Sequence, residues 1–479
     1  MVLVRLTDRG IGLISTLILA RLLVPTDFGL VAMGMTILAT LELLSAFSFD
    51  LALIHNQQAQ RHHYDTAWTF AVLFGLFNAL AMCALASPMA SFFGEPRVEG
   101  MMYVMALGPL IQGFDNVGVI AFTKDLELHK EFWFSLSKKL AGFAVTIPLA
   151  FIYQSYWALV VGVIAIRLTS LALSYRLHPF RPKFSLSAAG ELFHFSKWML
   201  VNNLLVFLNN RGADFVIGKI SGASSLGLYS VAYEIANLPT TEMVFPIQRA
   251  VFPGYSRLAG DRNELRKTFL NVIALITLIT VPLGAGIGLV AEPIVQLLLG
   301  PKWVNAVPLI QVLAIFGIIR TIHGPTGTIY LALGKPRIVA FLQCVQLAVS
   351  ITMMLLLIPR LGPIGAAWSV LAGSCTAMLL NYTLLLSELA LPFQAIVRAL
   401  WRPIMGGVVM SATLLLGFDG SWSTAAGFGP TLARLVAMIL VGGASYIMAV
   451  GVLWQLFGRP SSPEQQLMAF IVSRRKHVL

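Results

Sequence analysis

The sequence predicts an all-α integral membrane protein with about 14 transmembrane helices. Three observations indicate this class: 57% of the 479 residues are apolar, only 11% are charged, and long apolar segments follow one another with short polar breaks. Soluble domains contain about 45–50% apolar and about 25% charged residues. A globule of this size cannot bury so much apolar surface, so part of it must face lipid. The composition therefore excludes a soluble enzyme and a nucleic-acid-binding protein.

Each predicted span is an apolar run long enough to cross the hydrocarbon core, which takes roughly 20 helical residues. Turn-forming residues separate many of these runs, as at Gly94-Glu95-Pro96 and Gly334-Lys335-Pro336. A further break is expected near Glu292-Pro293, inside the ninth span. We expect the spans at residues 3–23, 28–54, 66–93, 100–123, 131–153, 155–177, 195–220, 226–254, 267–299, 303–332, 336–358, 362–388, 395–417 and 430–457.

Basic residues are distributed unevenly over the predicted loops. Roughly eighteen Lys and Arg residues fall on one side and roughly five on the other, and cytoplasmic loops are the ones enriched in Lys and Arg. Both termini are therefore expected in the cytoplasm. The same bias accounts for the net charge of +12 without a nucleic-acid partner.

The chain resembles itself at an offset of about 198 residues. Ala20-Arg21-Leu22 followed by Phe28-Gly29-Leu30 matches Gly218-Lys219-Ile220 followed by Leu226-Gly227-Leu228. Because six spans is an even number, two six-helix copies insert in the same orientation, which is typical of alternating-access transporters with the substrate path between the copies. The predicted domains are an N-lobe at 1–177, a C-lobe at 195–388, two extra spans at 395–457 and a cytoplasmic tail at 458–479.

Polar residues inside predicted spans are energetically costly and indicate a substrate path. They concentrate in spans 1, 7 and 8. When Arg5, Lys138, Lys139, Arg167 and Arg320 in spans 1, 5, 6 and 10 are included, the basic ones outnumber the acidic ones, which predicts a cavity for an anion. The forked guanidinium of Arg suits a diphosphate. The residues concerned are Arg9 in span 1, Asn209, Asn210, Arg211 and Asp214 in span 7, and Tyr233, Glu234, Glu242, Gln248 and Arg249 in span 8.

Several of these side chains have a structural alternative. Arg211 and Asp214 are three residues apart and can pair on one helix face. Arg249 can pair with Glu242 or Asp214, and Arg9 can extend toward the membrane surface. Arg167, Arg320 and His323 also lie inside predicted spans, and Arg167 and Arg320 have no partner visible in the sequence.

Sequence motifs of enzymes and cofactor sites are absent from the chain. It contains no P-loop, no Gly-x-Ser-x-Gly and no HExxH, so we expect neither ATP hydrolysis nor another enzymatic activity. His62-His63 lacks a third ligand at suitable spacing and is interpreted as a solvated loop. No cofactor or metal is expected.

Several stretches of the chain resemble the polysaccharide-transporter branch of the multidrug/oligosaccharidyl-lipid/polysaccharide (MOP) exporter superfamily. These are Ala20-Arg21-Leu22-Leu23-Val24-Pro25-Thr26-Asp27-Phe28-Gly29, Asn209-Asn210-Arg211-Gly212-Ala213-Asp214, Leu226-Gly227-Leu228-Tyr229-Ser230-Val231-Ala232-Tyr233 and Phe252-Pro253-Gly254-Tyr255-Ser256-Arg257-Leu258. The resemblance implies two six-helix lobes in a V around a cationic cavity, in the bacterial inner membrane. It also implies a function: flipping an undecaprenyl-pyrophosphate-linked oligosaccharide from the cytoplasmic to the periplasmic leaflet. Family members carry essential arginines in spans 1 and 8, at positions similar to Arg9 and Arg249.

This resemblance suggests a role for each candidate side chain. Arg9, Arg211 and Arg249 would hold the pyrophosphate; Asn209, Asn210, Gln248 and Tyr233 would meet sugars; Asp214, Glu242 and Glu234 would serve coupling or helix pairing. Expected partners are the lipid-linked oligosaccharide, the bilayer, and polysaccharide polymerase and export proteins. Two alternatives remain open: an ion-coupled multidrug exporter, for which an acidic cavity is expected, and a membrane glycan polymerase or ligase, which usually needs a large periplasmic loop.

Overall fold

The structure, a computed structural model, describes residues 2–45, 53, 60–125, 127–258, 260–418 and 427–457. Regular secondary structure in these ranges is helical throughout. Proline and glycine set many helix ends, as the sequence predicts. Gly94 ends a long helix in the left-handed conformation, with φ 68°. Pro336 and Pro363 each occupy a first helical turn, where the missing N–H is not needed.

The helices of the first half extend to residue 258. They are α1 (Val2–Leu22), α2 (Pro25–Ser45), α3 (Arg61–Phe93), α4 (Arg97–Met105), α5 (Leu107–Gly113), a 3-10 turn (Val117–Val119), α6 (Ile120–Lys124), α7 (Leu128–Tyr153), α8 (Trp157–Leu177) and α9 (Ala189–Leu258).

The helices of the second half begin at Arg262. They are α10 (Arg262–Leu289), α11 (Ala291–Ile294), a π turn (Val295–Leu299), a 3-10 turn (Pro301–Ala306), α12 (Val307–Ala332), α13 (Pro336–Leu361), α14 (Pro363–Glu388), α15 (Phe393–Gly417) and α16 (Phe428–Leu456).

The described residues contain eleven helices long and apolar enough to cross a membrane, or twelve if one bent pair is counted as a span. The prediction of an all-α multi-pass membrane protein is thus confirmed, while fourteen spans exceed this count. Among the described side chains of α1, the apolar segment Gly10–Leu22 is too short to be counted as a span. The predicted spans 7 and 8 both lie in α9, which consists of two helices that meet at a kink at Gly222.

Three predicted spans or boundaries contain bends or breaks in the structure. The fourth span is a bent pair, Arg97–Gly113 with Val117–Lys124, at 67°. The ninth is broken as predicted, because α10 ends at Leu289 before the expected break. The seventh and eighth are two helices that meet at a kink at Gly222, whose φ of 77° and ψ of −178° are not helical. Glycine permits this conformation because it has no Cβ.

The chain forms two compact units, residues 1–230 and 231–479. In the first unit α7 packs along α8, α1 packs on α7, and α3 packs on α4 and α5. Buried Leu19 of α1 and Leu23, which directly follows α1, lie against Ala150 and Ala158. The predicted lobes, whose boundary falls elsewhere in the chain, remain a prediction.

The second unit contains two apolar cores. One surrounds buried Tyr255, Phe269 and Tyr330 and joins α10, α12 and α14 to the end of α9. The other joins α10 to the extra helices α15 and α16 through Val281, Met410 and other apolar side chains. The two helices after the predicted repeat are therefore packed onto α10.

An extended segment, residues 178–188, connects α8 to α9, and we call it the strap. Polar side chains at the start of α3 accept its backbone N–H groups: Asp65 from Lys183 at 2.9 Å, and Thr69 from Ser185 at 2.9 Å. The Trp68 ring lies 4.9 Å from the ring of Phe184. Acceptors at positions 65 and 69 share one helix face, so this face of α3 holds the strap in place.

Buried Asn116 holds the start of the strap from the other side. Its amide donates to the carbonyl of Phe180 at 2.7 Å, and its own N–H donates to Ser174 Oγ at 3.0 Å. The side-chain oxygen accepts from the N–H of Gly118, which caps the 3-10 turn. The connection between α8 and α9 is thus fastened to the first unit by side-chain hydrogen bonds.

Candidate substrate-binding site

The predicted pair Arg211–Asp214 forms on α9, inside the first unit. Arg211 Nη1 lies 3.3 Å from Asp214 Oδ2, and the same oxygen accepts from Thr36 Oγ1 of α2 at 3.2 Å. The Asp214 side chain is only 6% exposed, whereas the Arg211 side chain is 53% exposed. The carboxylate is therefore a buried bridge between two helices, and the guanidinium remains accessible at the surface of the unit.

Thr36 is a functional neighbour that sequence reasoning missed. It is separated from Asp214 by 178 residues in the chain. Its hydroxyl also lies 2.8 Å from the carbonyl of Ala32, an ordinary contact for a threonine in a helix. A single threonine in an apolar helix carries no signal of a distant partner.

Asn209 and Asn210 differ in their surroundings. The Asn209 amide donates to the carbonyl of Leu205 at 3.0 Å, within its own helix. Asn210 is exposed. One N–H group of the Asn209 amide is thus used within its own helix. A side-chain amide has a second N–H group and an oxygen with which it can make further contacts.

Tyr233 lies in the second unit, where it meets a side chain that had no partner visible in the sequence. Arg320 Nη1 of α12 donates to Tyr233 Oη at 2.7 Å. The Phe316 ring lies one turn earlier on α12, with its centroid 6.0 Å from the Tyr233 ring. Both members of the hydrogen-bonded pair are partly exposed.

The other predicted site residues lie on helices but have less defined surroundings. Glu234 is partly buried on α9. The backbone of Arg9 belongs to α1, and the backbones of Glu242, Gln248 and Arg249 belong to α9; these four side chains lie outside the described part of the structure. A common site for Arg9, Arg211 and Arg249 remains a prediction.

Two further polar contacts lie among the helices of the first unit. Arg167 of α8 pairs with Glu42 of α2 at 3.1 Å. Asp115, at the bend between α5 and α6, accepts from Ser170 at 2.8 Å. Periodicity predicts neighbours three or four residues apart, so it could not find these pairs. Among the residues described, no group of three His, Cys, Asp or Glu side chains could hold a metal ion.

The apolar helices, together with polar pairs that join them inside the bundles, define a multi-pass membrane protein. Residues 18–308 match a protein family described as "Polysaccharide biosynthesis protein". The chain belongs to this family, in agreement with the resemblance found in its sequence motifs.

Similarity to individual proteins extends over most of the chain. It is 24% identical over 400 residues to the lipopolysaccharide biosynthesis protein WzxC of Escherichia coli, covering 82% of this chain and 81% of that protein. It is also 24% identical to a putative O-antigen transporter of Shigella flexneri, covering 74% and 88% of the two chains.

A solved structure shows the same fold. The lipid II flippase MurJ, in an inward closed conformation, superimposes with a TM-score of 0.74 at 11% identity, covering 95% of this chain and 98% of that chain. Two of these three similar proteins are thus named as a transporter or a flippase, not as an enzyme.

Proposed function

We propose that this protein is a flippase for an undecaprenyl-pyrophosphate-linked oligosaccharide, which it moves from the cytoplasmic to the periplasmic leaflet. Family membership and the names of the similar proteins support a role in polysaccharide biosynthesis. The observation that carries the anion chemistry is Arg211, whose side chain is half exposed although it belongs to an apolar helix. Ionised side chains at such positions are costly and mark ion or substrate pathways.

In this proposal Arg9, Arg211 and Arg249 bind the pyrophosphate, because guanidinium groups donate paired hydrogen bonds to phosphate oxygens. Asn209, Asn210, Gln248 and Tyr233 contact sugar hydroxyls. Asp214 orients Arg211, and Glu234 and Glu242 serve coupling or helix pairing. The apolar lipid tail stays in the bilayer, so only the polar headgroup has to cross the hydrocarbon core.

Transport then requires a substrate site that opens to one leaflet and afterwards to the other. A substrate shifts such an equilibrium only if it binds the two states with different affinity. An ion gradient or the membrane potential supplies the direction, since moving one charge through 100 mV corresponds to about 2.3 kcal/mol. The protein would act in the bacterial inner membrane, beside a polysaccharide polymerase and export proteins.

Complementation of a strain that lacks its own copy of the gene tests this proposal. Surface glycan and lipid-linked oligosaccharide are measured for Arg211→Ala and Arg249→Ala, with exposed Arg360→Ala as the matched control. We expect both variants to lose surface glycan and to accumulate lipid-linked oligosaccharide in the cytoplasmic leaflet, while the control complements fully. Full activity in both variants would contradict the anion site.

The leaflet in which the oligosaccharide accumulates separates flipping from polymerisation. A polymerase or ligase defect leaves the lipid-linked product in the periplasmic leaflet, where a membrane-impermeant sugar-oxidising reagent modifies it. A flippase defect leaves it protected. Growth of the same strain with cationic drugs tests the multidrug alternative: drug sensitivity with normal surface glycan would favour an exporter.

A further inference from the structure

The second unit carries a polar seam along one face of α12, formed by Arg320, His323, Thr326 and Tyr330. These positions follow one another at intervals of three or four residues, so they share a helix face. Three of them connect α12 to α14. His323 Nε2 lies 3.3 Å from Ser374 Oγ, Thr326 Oγ1 donates to Asn381 Oδ1 at 2.8 Å, and Tyr330 Oη donates to the carbonyl of Asn381 at 3.1 Å.

Arg320 differs from the rest of the seam in both partner and charge. It contacts α9 through the 2.7 Å hydrogen bond to Tyr233 Oη. Its guanidinium carbon lies 6.0 Å from the centroid of the Phe316 ring, which favours a cation at that position. Neutral pairs such as Thr326–Asn381 are sufficient to join helices, so helix cohesion alone does not account for a charged residue here.

The chemistry of the pair suits an acceptor ligand. A guanidinium has five N–H donors in a fixed fork, so it can hold Tyr233 and a ligand at the same time. A phenol hydroxyl can accept one hydrogen bond and donate another, so the Tyr233 side chain places a second kind of donor beside the guanidinium. Both side chains are partly exposed. Together they present donors suited to anionic oxygens.

We propose that Arg320, oriented by Tyr233 against Phe316, is a binding residue of the second unit for an anionic group of the transported glycolipid. This inference rests on the proposed function and adds a residue that the sequence motifs did not include. The shared chemistry is a cluster of anionic oxygens, which either the diphosphate or an acidic sugar of the glycan can supply.

Binding measurements on the purified full chain in lipid nanodiscs test the proposal and separate the two sources. Three probes are used: undecaprenyl diphosphate without sugar, the lipid-linked oligosaccharide extracted from producing cells, and uncharged undecaprenol. For Arg320→Gln we expect affinity for charged lipid to fall at least about tenfold, a loss of charge-assisted hydrogen bonds, with undecaprenol binding unchanged. Equal loss for both charged lipids identifies the diphosphate; loss for the oligosaccharide alone identifies an acidic sugar.

Two further variants test orientation and folding. Tyr233→Phe keeps the ring but removes the hydroxyl, and we expect a smaller loss of affinity for the charged lipids only. Arg320→Lys keeps the charge without the fork and should recover part of the affinity that Arg320→Gln loses. Exposed Gln311→Ala on the same helix is the matched control. Thermal unfolding of each variant is measured in parallel, and Tyr233→Phe decides the matter if Arg320→Gln does not fold.

The outcomes distinguish this inference from the proposed function. Wild-type protein that binds neither charged lipid would contradict both. Wild-type protein that binds them, together with Arg320→Gln and Tyr233→Phe variants of unchanged affinity, would overturn only the role of Arg320. An equal loss of undecaprenol binding would also overturn it, because the effect would then not depend on charge.

Discussion

Gly29 of α2 and Gly227 of α9 lie where these two helices approach each other closely within the first unit, and each glycine contacts the other helix. A Cβ added to Gly29 would meet the carbonyl oxygen of Ala223 at 1.7 Å, and one added to Gly227 would meet the carbonyl oxygen of Pro25 at 1.8 Å. The offset between Gly29 and Gly227 is also the offset between Pro25 and Ala223, and it equals that of the internal repeat. Equivalent positions of the predicted repeat therefore contact one another reciprocally.

Alanine at either glycine should destabilise this contact. Backbone atoms cannot move aside as a side chain can, and small residues are what allow such close approach in membrane proteins. We expect Gly29→Ala and Gly227→Ala each to lower the free energy of unfolding by about 1–3 kcal/mol, the usual cost of overpacking. Thermal unfolding in nanodiscs measures this.

Gly12→Ala in α1 is the matched control, because a Cβ there meets nothing within 4 Å. Alanine is the better helix former, so this variant should be at least as stable as the wild type. If all three variants unfold at the same temperature, α2 and α9 do not pack at Gly29 and Gly227 as closely as described.

Removal of the buried carboxylate of Asp214 should destabilise the first unit. Asp214→Ala leaves Thr36 and Arg211 without their common acceptor. We expect a loss of about 1–3 kcal/mol, the cost of unmade buried hydrogen bonds. Asp214→Asn retains an acceptor oxygen and should cost less. Exposed Asp125→Ala is the control, and a loss for Asp214→Ala no larger than for this control would contradict the bridge.

The strap should be loosened by a change at one residue of α3. Asp65→Ala removes the acceptor of the Lys183 N–H group, and a lost hydrogen bond of about 1 kcal/mol raises local opening several-fold. Amide hydrogen exchange of residues 178–188 measures this opening. Lys183→Ala is the control, because it keeps the backbone N–H and removes only the side chain. Equal exchange in wild type and Asp65→Ala would show that the strap does not depend on Asp65.

Docking of the strap should also depend on pH through His178, which lies outside the membrane-spanning helices. Burial lowers the pKa of His178, with nearby Lys130 and Arg181 acting in the same direction and Glu127 and Asp125 opposing them. Its Nδ1 accepts the N–H of Phe180 at 3.2 Å, which requires that nitrogen to be unprotonated. A histidine with a lowered folded pKa binds protons more readily when unfolded, so stability falls as the pH drops below about 6.5.

We therefore expect the melting temperature of the wild type to fall between pH 7.5 and 5.5 by more than that of His178→Gln. All other titrating groups are present in both proteins, so the difference between the two changes in melting temperature reports on His178. A parallel pH dependence in both proteins would exclude a contribution from His178.

Local features of this chain could be predicted from the sequence alone. The breaks at Gly94 and Pro336 coincide with helix ends, and the pairing of Arg211 with Asp214 follows from their spacing on one helix. The described residues contain eleven or twelve candidate spans, and the count of fourteen stays a prediction. The predicted spans 7 and 8 are two helices that meet at a kink at Gly222, which lies between the predicted bounds 195–220 and 226–254.

Contacts between distant segments could not be predicted in this way. Arg167 pairs with Glu42, which is 125 residues away in the chain, and Arg320 donates to Tyr233, which is 87 residues away. No periodic pattern links such positions, since helix periodicity relates residues only within one helix. The sequence therefore indicates which types of residue form the candidate site. It indicates only in part which of them contact one another.

Membrane insertion, helical class, the charge bias across the bilayer and the family are determined by the sequence by itself. They depend on sums over about 20 residues or on short motifs, and neither needs knowledge of which helices touch. The tertiary structure alone decided which polar side chains meet between helices. Thr36 donates a hydrogen bond to buried Asp214, and Arg320 donates one to Tyr233. The physical reason is that a hydrogen bond requires its two atoms within about 3 Å, and helix packing sets that distance between segments far apart in the chain.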